Sequence, residues 1–119
     1  MRWIPILIIL FLSVAMTPCA QAHVFLDHSR PKVGGTVDES PTQIKLWFTG
    51  ELEPASSTAK VEDVDGKQVD KRDVHLDDKD RSLLEVSVPP LSSGKYKVIW
   101  QAVSTDGHKT EGHFEFTVR

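Results

Sequence analysis

The chain has 119 residues, 14 Lys and Arg against 17 Asp and Glu, a net charge of −3 and one cysteine. That length carries one domain and not comfortably two, which excludes a multidomain enzyme and the large doubly wound or barrel α/β folds. The mildly acidic, evenly mixed charge argues against nucleic acid, whose recognition needs a basic stripe.

Met1-Arg2 is followed by the apolar run WIPILIILFLSVA and then by Ala20-Gln21-Ala22, a small-x-small site of the kind signal peptidase cuts. The run is too short to span a bilayer, and no second one follows. The expectation is a cleaved signal peptide over residues 1–22 and one exported domain over 23–119 that is not embedded in a membrane. Removing 22 of 119 residues leaves 97, enough for one modest core. Cys19, Met1 and Met16 leave with the leader, so the mature domain contains no sulfur. Met-Thr-Pro before Cys19 makes a poor lipoprotein site. A disulfide staple, a zinc–thiolate site and a thiol nucleophile are all excluded. Loss of Arg2 also takes the net charge from −3 to −4.

The mature sequence alternates with period two, and no window fits a helical period well. Ile44, Leu46 and Phe48 alternate with Gln43, Lys45 and Trp47. Ala59 and Val61 lead into the turn pair Asp65-Gly66, after which a second extended piece is expected from Lys67 to Val74. Leu84, Val86 and Val88 form a row that Pro89-Pro90 stops. Tyr96, Val98, Trp100 and Ala102 form the longest row, and Phe114, Phe116 and Val118 close the chain. Six or seven short strands separated by Gly, Pro, Asp and Ser clusters predict an all-β fold, an antiparallel Greek-key sandwich or barrel of the Ig-like kind. Leu91-Ser-Ser-Gly94-Lys-Tyr96 looks like the turn before a tyrosine-corner strand. The acidic run from Asp70 to Arg81 lacks the glycine and terminal glutamate of an EF-type calcium loop and reads as a solvated loop.

Five histidines remain in the mature domain: His23, His28, His75, His108 and His113. With no sulfur, a transition-metal site there must use imidazole, carboxylate and main-chain nitrogen, which suits Cu(II), Ni(II) or Zn(II) and not Cu(I). His23 is the first mature residue if cleavage follows Ala22, and it then offers an amine and an imidazole to one metal. Asp106 and His108 flank Gly107, so both side chains can aim at one point. Asp-Gly is equally the commonest hairpin pair, and some residue must follow any cleavage site, so the same features also describe a plain turn and a plain terminus. Four N/O donors in a plane is the tetragonal arrangement that Cu(II) favours. His113 alternates with Phe114 and Phe116 and should face outward. His28 lies near enough to the amino end to reach the edge of such a site but reads better as a surface residue, and His75, in the charged segment, is assigned no role. Trp100 reads as core and Trp47 as lying on the opposite face.

The mature start His23-Val-Phe-Leu-Asp-His-Ser29-Arg-Pro31 and Gly35-Thr-Val37 resembles the opening of the CopC family of periplasmic copper-resistance proteins. So does Ile44-Lys-Leu-Trp-Phe48-Thr49 with Glu53-Pro54. The ending resembles it most, from Tyr96-Lys-Val-Ile-Trp100 through Ser104-Thr-Asp106-Gly107-His108 to Gly112-His-Phe114-Glu-Phe116. The resemblance implies a seven-stranded sandwich holding one Cu(II) through His23, by amine and imidazole, with Asp106 and His108. No Met follows residue 16, so the chain resembles the Cu(II)-only kind that lacks a methionine-rich Cu(I) loop. The family commonly has Glu after the Phe-Thr pair, where this chain has Gly50. If that Glu accepts a hydrogen bond from a ligating imidazole, Glu51 or Glu53 must substitute here, or the support is missing.

The leading expectation is a non-enzymatic carrier that sequesters or hands on Cu(II), with an inner-membrane copper-transport protein as the partner the resemblance implies. A copper enzyme with a histidine brace is the alternative. It fits less well, because Asp106 would fill the position oxygen needs and the chain has only five Phe, three Trp and one Tyr to build a substrate face. The third reading is a metal-free Ig-like module.

Overall fold

The computed structural model describes residues 23–119 together with Ser13 and Ala15. The signal peptide expected over residues 1–22, with Cys19 and the cleavage site, otherwise lies outside the described residues. No helix among the described residues is long and apolar enough to cross a membrane.

Eight strands form: β1 (Leu26–Arg30), β2 (Thr36–Val37), β3 (Gln43–Phe48), β4 (Thr58–Glu62), β5 (His75–Leu76), β6 (Leu83–Ser87), β7 (Gly94–Val103) and β8 (Lys109–Val118). They make two four-stranded sheets, ordered β1-β3-β6-β5 and β2-β8-β7-β4. All pairings are antiparallel except β2 with β8, which run parallel. The all-β sandwich expected from the alternation is therefore present, with one parallel pair and more strands than six or seven. The additions are β1 and the two-residue β2 and β5, too short or too polar to register as periodicity.

The alternation is resolved by burial. Ile44, Leu46 and Phe48 of β3, Leu84 and Val86 of β6, Val98 and Trp100 of β7 and Phe114 and Phe116 of β8 all turn inward into one core. A strand shows its successive side chains to opposite faces, so each apolar row faces the other sheet while Lys45, Lys97 and Glu115 face out. Trp100 packs its ring edge-on to Phe48 at 5.2 Å, whereas Trp47 lies on the outer face stacked on His28 at 4.5 Å. Trp100 also lies across from Gly112, where a Cβ would come within 2.5 Å of its ring. Tyr96 donates its hydroxyl to the Ser92 carbonyl at 2.7 Å, the tyrosine-corner bond expected of this turn.

The Lys67–Val74 segment is not a second strand. Val69 donates to the Val61 carbonyl at 2.8 Å, and the Asp70 carboxylate accepts the Val61 N–H at 2.9 Å. The Asp70 side chain thus replaces a ladder partner, and Arg72, at φ 59°, breaks the extended path. The acidic run is a set of turns rather than an ion loop. Asp77 accepts the Lys79 and Asp80 N–H groups, Asp80 accepts that of Ser82, and Asp73 accepts that of Ser87.

Candidate metal centre

The centre lies where the segment before β1 meets the β7–β8 turn. β7 and β8 pair without a break from Gly94↔Val118 to Val103↔Lys109, and Ser104 to His108 close the hairpin between them. Ser104 is the hub of that turn. Its N–H donates to the His108 carbonyl at 2.9 Å, its carbonyl accepts the Gly107 N–H at 2.9 Å, and its hydroxyl accepts the His108 N–H at 3.2 Å. Gly107, at φ 91°, supplies the left-handed step that a side chain would resist. Ser104 also bridges Leu52, which ties the turn to the segment after β3.

This turn sets the Asp106 carboxylate. One oxygen takes a short hydrogen bond from the Ser104 hydroxyl, and the other lies 3.1 Å from Nδ1 of His108. The Ser104 hydroxyl, helped by the N–H and ring of His108, holds the Asp106 carboxyl below the usual carboxylate range. A carboxylate on Nδ1 favours the tautomer with the proton there and leaves Nε2 of His108 as a lone pair for a metal.

His23 reaches the same place from the other end of the domain. Its ring centroid is 5.0 Å from that of His108, with the planes tilted by 48°, and 6.2 Å from that of the exposed Phe25. A metal about 2.0 Å from one nitrogen of each ring would place the two centroids roughly 4–6 Å apart, so the spacing suits a shared ion. Among the described residues no three His, Cys, Asp or Glu side chains are grouped closely enough to hold a metal. The remaining donor the sequence pointed to is the main-chain nitrogen of His23, which in this chain is acylated by Ala22.

The fold therefore brings His23 and His108 together and joins Asp106 to His108. The other histidines stand apart. His28 bonds Asp27 at 2.7 Å beneath Trp47, His75 pairs with Glu85 at 3.2 Å, and His113 faces outward on β8. Glu51 is exposed, Glu53 donates its main-chain N–H to the Val103 carbonyl, and the contact to the His108 ring is made by Asp106. Sequence reasoning missed Ser104, although Ser-x-Asp is a pattern in which a hydroxyl caps its own turn.

Residues 26–119 match the model of the CopC domain. Protein YobA of Escherichia coli (strain K12) is 34% identical over 105 residues, covering 87% of this chain and 85% of that protein. The crystal structure of CopC from Methylosinus trichosporium OB3b superposes with a TM-score of 0.72 at 36% identity, covering 81% of this chain and 93% of that one. PcoC, a methionine-rich copper resistance protein from Escherichia coli, superposes with a TM-score of 0.73 at 31% identity over 82% of this chain and all of that one.

Proposed function

Because the chain belongs to the CopC family, we propose that it is a periplasmic copper-binding protein of copper resistance and homeostasis, not an enzyme, and that it takes one Cu(II) per mature chain. The leader over residues 1–22 directs export, and cleavage after Ala22 frees the His23 amine. The ion is cargo. His23 holds it by amine and imidazole, His108 by its ring, and Asp106 completes the set or steadies the His108 ring. The observation that carries this reading is the 5.0 Å approach of the His23 and His108 rings.

The donor chemistry supports the oxidation state. Imidazole, amine and carboxylate suit Cu(II), and the sequence after Cys19 holds no thioether or thiolate for Cu(I). Loaded copper passes to an inner-membrane transport protein or stays sequestered.

The test is a Cu(II) titration, followed by electron paramagnetic resonance, of two forms of the domain. One begins at His23 and the other carries a single alanine before it. The reading expects one equivalent in a tetragonal N/O site for the first form, with most of the affinity lost in the second. Equal binding by both, or binding by neither, would overturn it.

A further inference from the structure

A ligand at a chain terminus has a difficulty that one in mid-strand lacks. The first residue is tethered on one side only, and ordering it on metal binding costs conformational entropy. The two residues that follow His23 are held here by groups from two separate segments. The Val24 carbonyl accepts the Thr110 hydroxyl of β8 at 2.6 Å. The Phe25 N–H donates to Oγ1 of Thr49 at 3.0 Å, and the Thr49 N–H donates back to the Phe25 carbonyl at 2.9 Å. The Val24 side chain, 4% exposed, belongs to the core. It sits over Gly50, where an added Cβ would lie 3.0 Å from Val24 Cγ1.

We infer that Thr110 and Thr49 are positioning residues for copper, fixing Val24-Phe25 so that the His23 amine is presented beside His108 before the metal arrives. The inference rests on the copper reading above. Thr110 suits the task because it stands two residues after His108 and belongs to the same hairpin. One short segment therefore carries a ligand and the anchor for the other ligand, and the distance between them is set locally although the chain positions are far apart.

The test compares Thr110→Val with the parent in both the His23-first form and the alanine-extended form. Thr110→Val keeps the shape and removes the hydroxyl. In the His23-first form Cu(II) affinity should fall about tenfold, the lower end of what loss of a supporting partner costs at a metal site, with altered copper hyperfine splitting. In the extended form, which has no amine to position, the same substitution should change affinity by less than about twofold. Thr110→Ser, which retains the hydroxyl, should restore the parent value. Equal losses in the two forms would mean that Thr110 acts only through general stability, and no loss in either would mean that the amine is placed without it. Should Thr110→Val fail to fold, Thr49→Val gives the same comparison from the other side of the segment. If the His23-first parent binds no Cu(II), the copper reading itself falls and takes the positioning role with it. A parent that binds while Thr110→Val is silent overturns the positioning role alone.

Discussion

Nδ1 of His108 lies 3.1 Å from the Asp106 carboxylate, while the ring of the same histidine stands 5.0 Å from that of His23. One face of the imidazole is thus committed to the protein and the rest of the ring is turned toward the terminus. His108→Ala removes a donor that the proposed copper site requires. Its Cu(II) affinity in a chelator-competition titration should fall by more than the roughly 10–100-fold that removal of a supporting partner costs. A variant that binds like the parent would remove His108 from the site.

Asp106→Asn keeps the size of the side chain and an oxygen for the ring, and discards the charge. Affinity in the same titration should drop about 10–100-fold, whether the carboxylate reaches the ion or orients His108. Ser104→Ala should lose less, since it takes only one hydroxyl from Asp106. It should also let the Asp106 carboxyl rise toward its ordinary range, which a carbon-detected NMR titration would read.

On the far side of the sandwich, His75 sits between two acceptors. Nδ1 is 2.7 Å from the Asp73 carbonyl and Nε2 is 3.2 Å from the Glu85 carboxylate. Neither acceptor has a proton to give, so the ring is best served by a proton on both nitrogens. The Asp73 carbonyl first, and then the Glu85 charge, raise the His75 pKa above its usual 6.5. Glu85 is 7% exposed and is also met by Lys45 at 3.9 Å. A raised histidine contributes stability that is fully present below its unfolded pKa and is lost as pH rises through the folded value. The difference in melting temperature between the parent and His75→Gln should therefore be largest near pH 5 and shrink above the raised value. Asp73 behaves oppositely. Hydrogen bonds from Ser87 lower its pKa, so its contribution is present above 3.8 and fades as pH falls through the lowered value. A parent–variant gap that widened with rising pH would refute the assignment of His75 as imidazolium.

Gly112 exists for Trp100. A Cβ there would sit 2.5 Å from Cζ2 and 2.8 Å from Cε2 of the indole, far inside van der Waals contact. Gly112→Ala should cost about 1–3 kcal/mol, with a shifted tryptophan emission as the ring moves off Phe48. Urea unfolding followed by fluorescence measures both effects.

Much of this was legible in the residues because a half-buried strand writes its face into the chain. Ile44-Leu46-Phe48 and Tyr96-Val98-Trp100-Ala102 were read as inward rows and are inward. Tyr96 closed the corner expected of it. β2 and β5 left no such trace, since two residues carry no period. The Lys67–Val74 segment misled because Val69 and Val74 look strand-like, while what decides the matter is a carboxylate, Asp70, acting in place of backbone. For the metal centre, His23, Asp106 and His108 were named from chemistry and resemblance. Beside them stand Ser104, whose Ser-x-Asp pattern is local, and Thr49 and Thr110, whose hydroxyls have no signature of their own until the fold brings their partners near.

The capping of β4 by Asp70 has a consequence for how such a chain survives in company. β4 is the outermost strand of its sheet, and an exposed edge is a template on which another chain can grow a sheet of its own. The Asp70 carboxylate occupies the Val61 N–H and Val69 occupies the Val61 carbonyl, so at Val61 that edge offers an incoming strand neither donor nor acceptor. The charge of the carboxylate then repels what the missing hydrogen bonds already fail to attract. A border that would otherwise stand open to a second chain is narrowed by one carboxylate and one main-chain N–H.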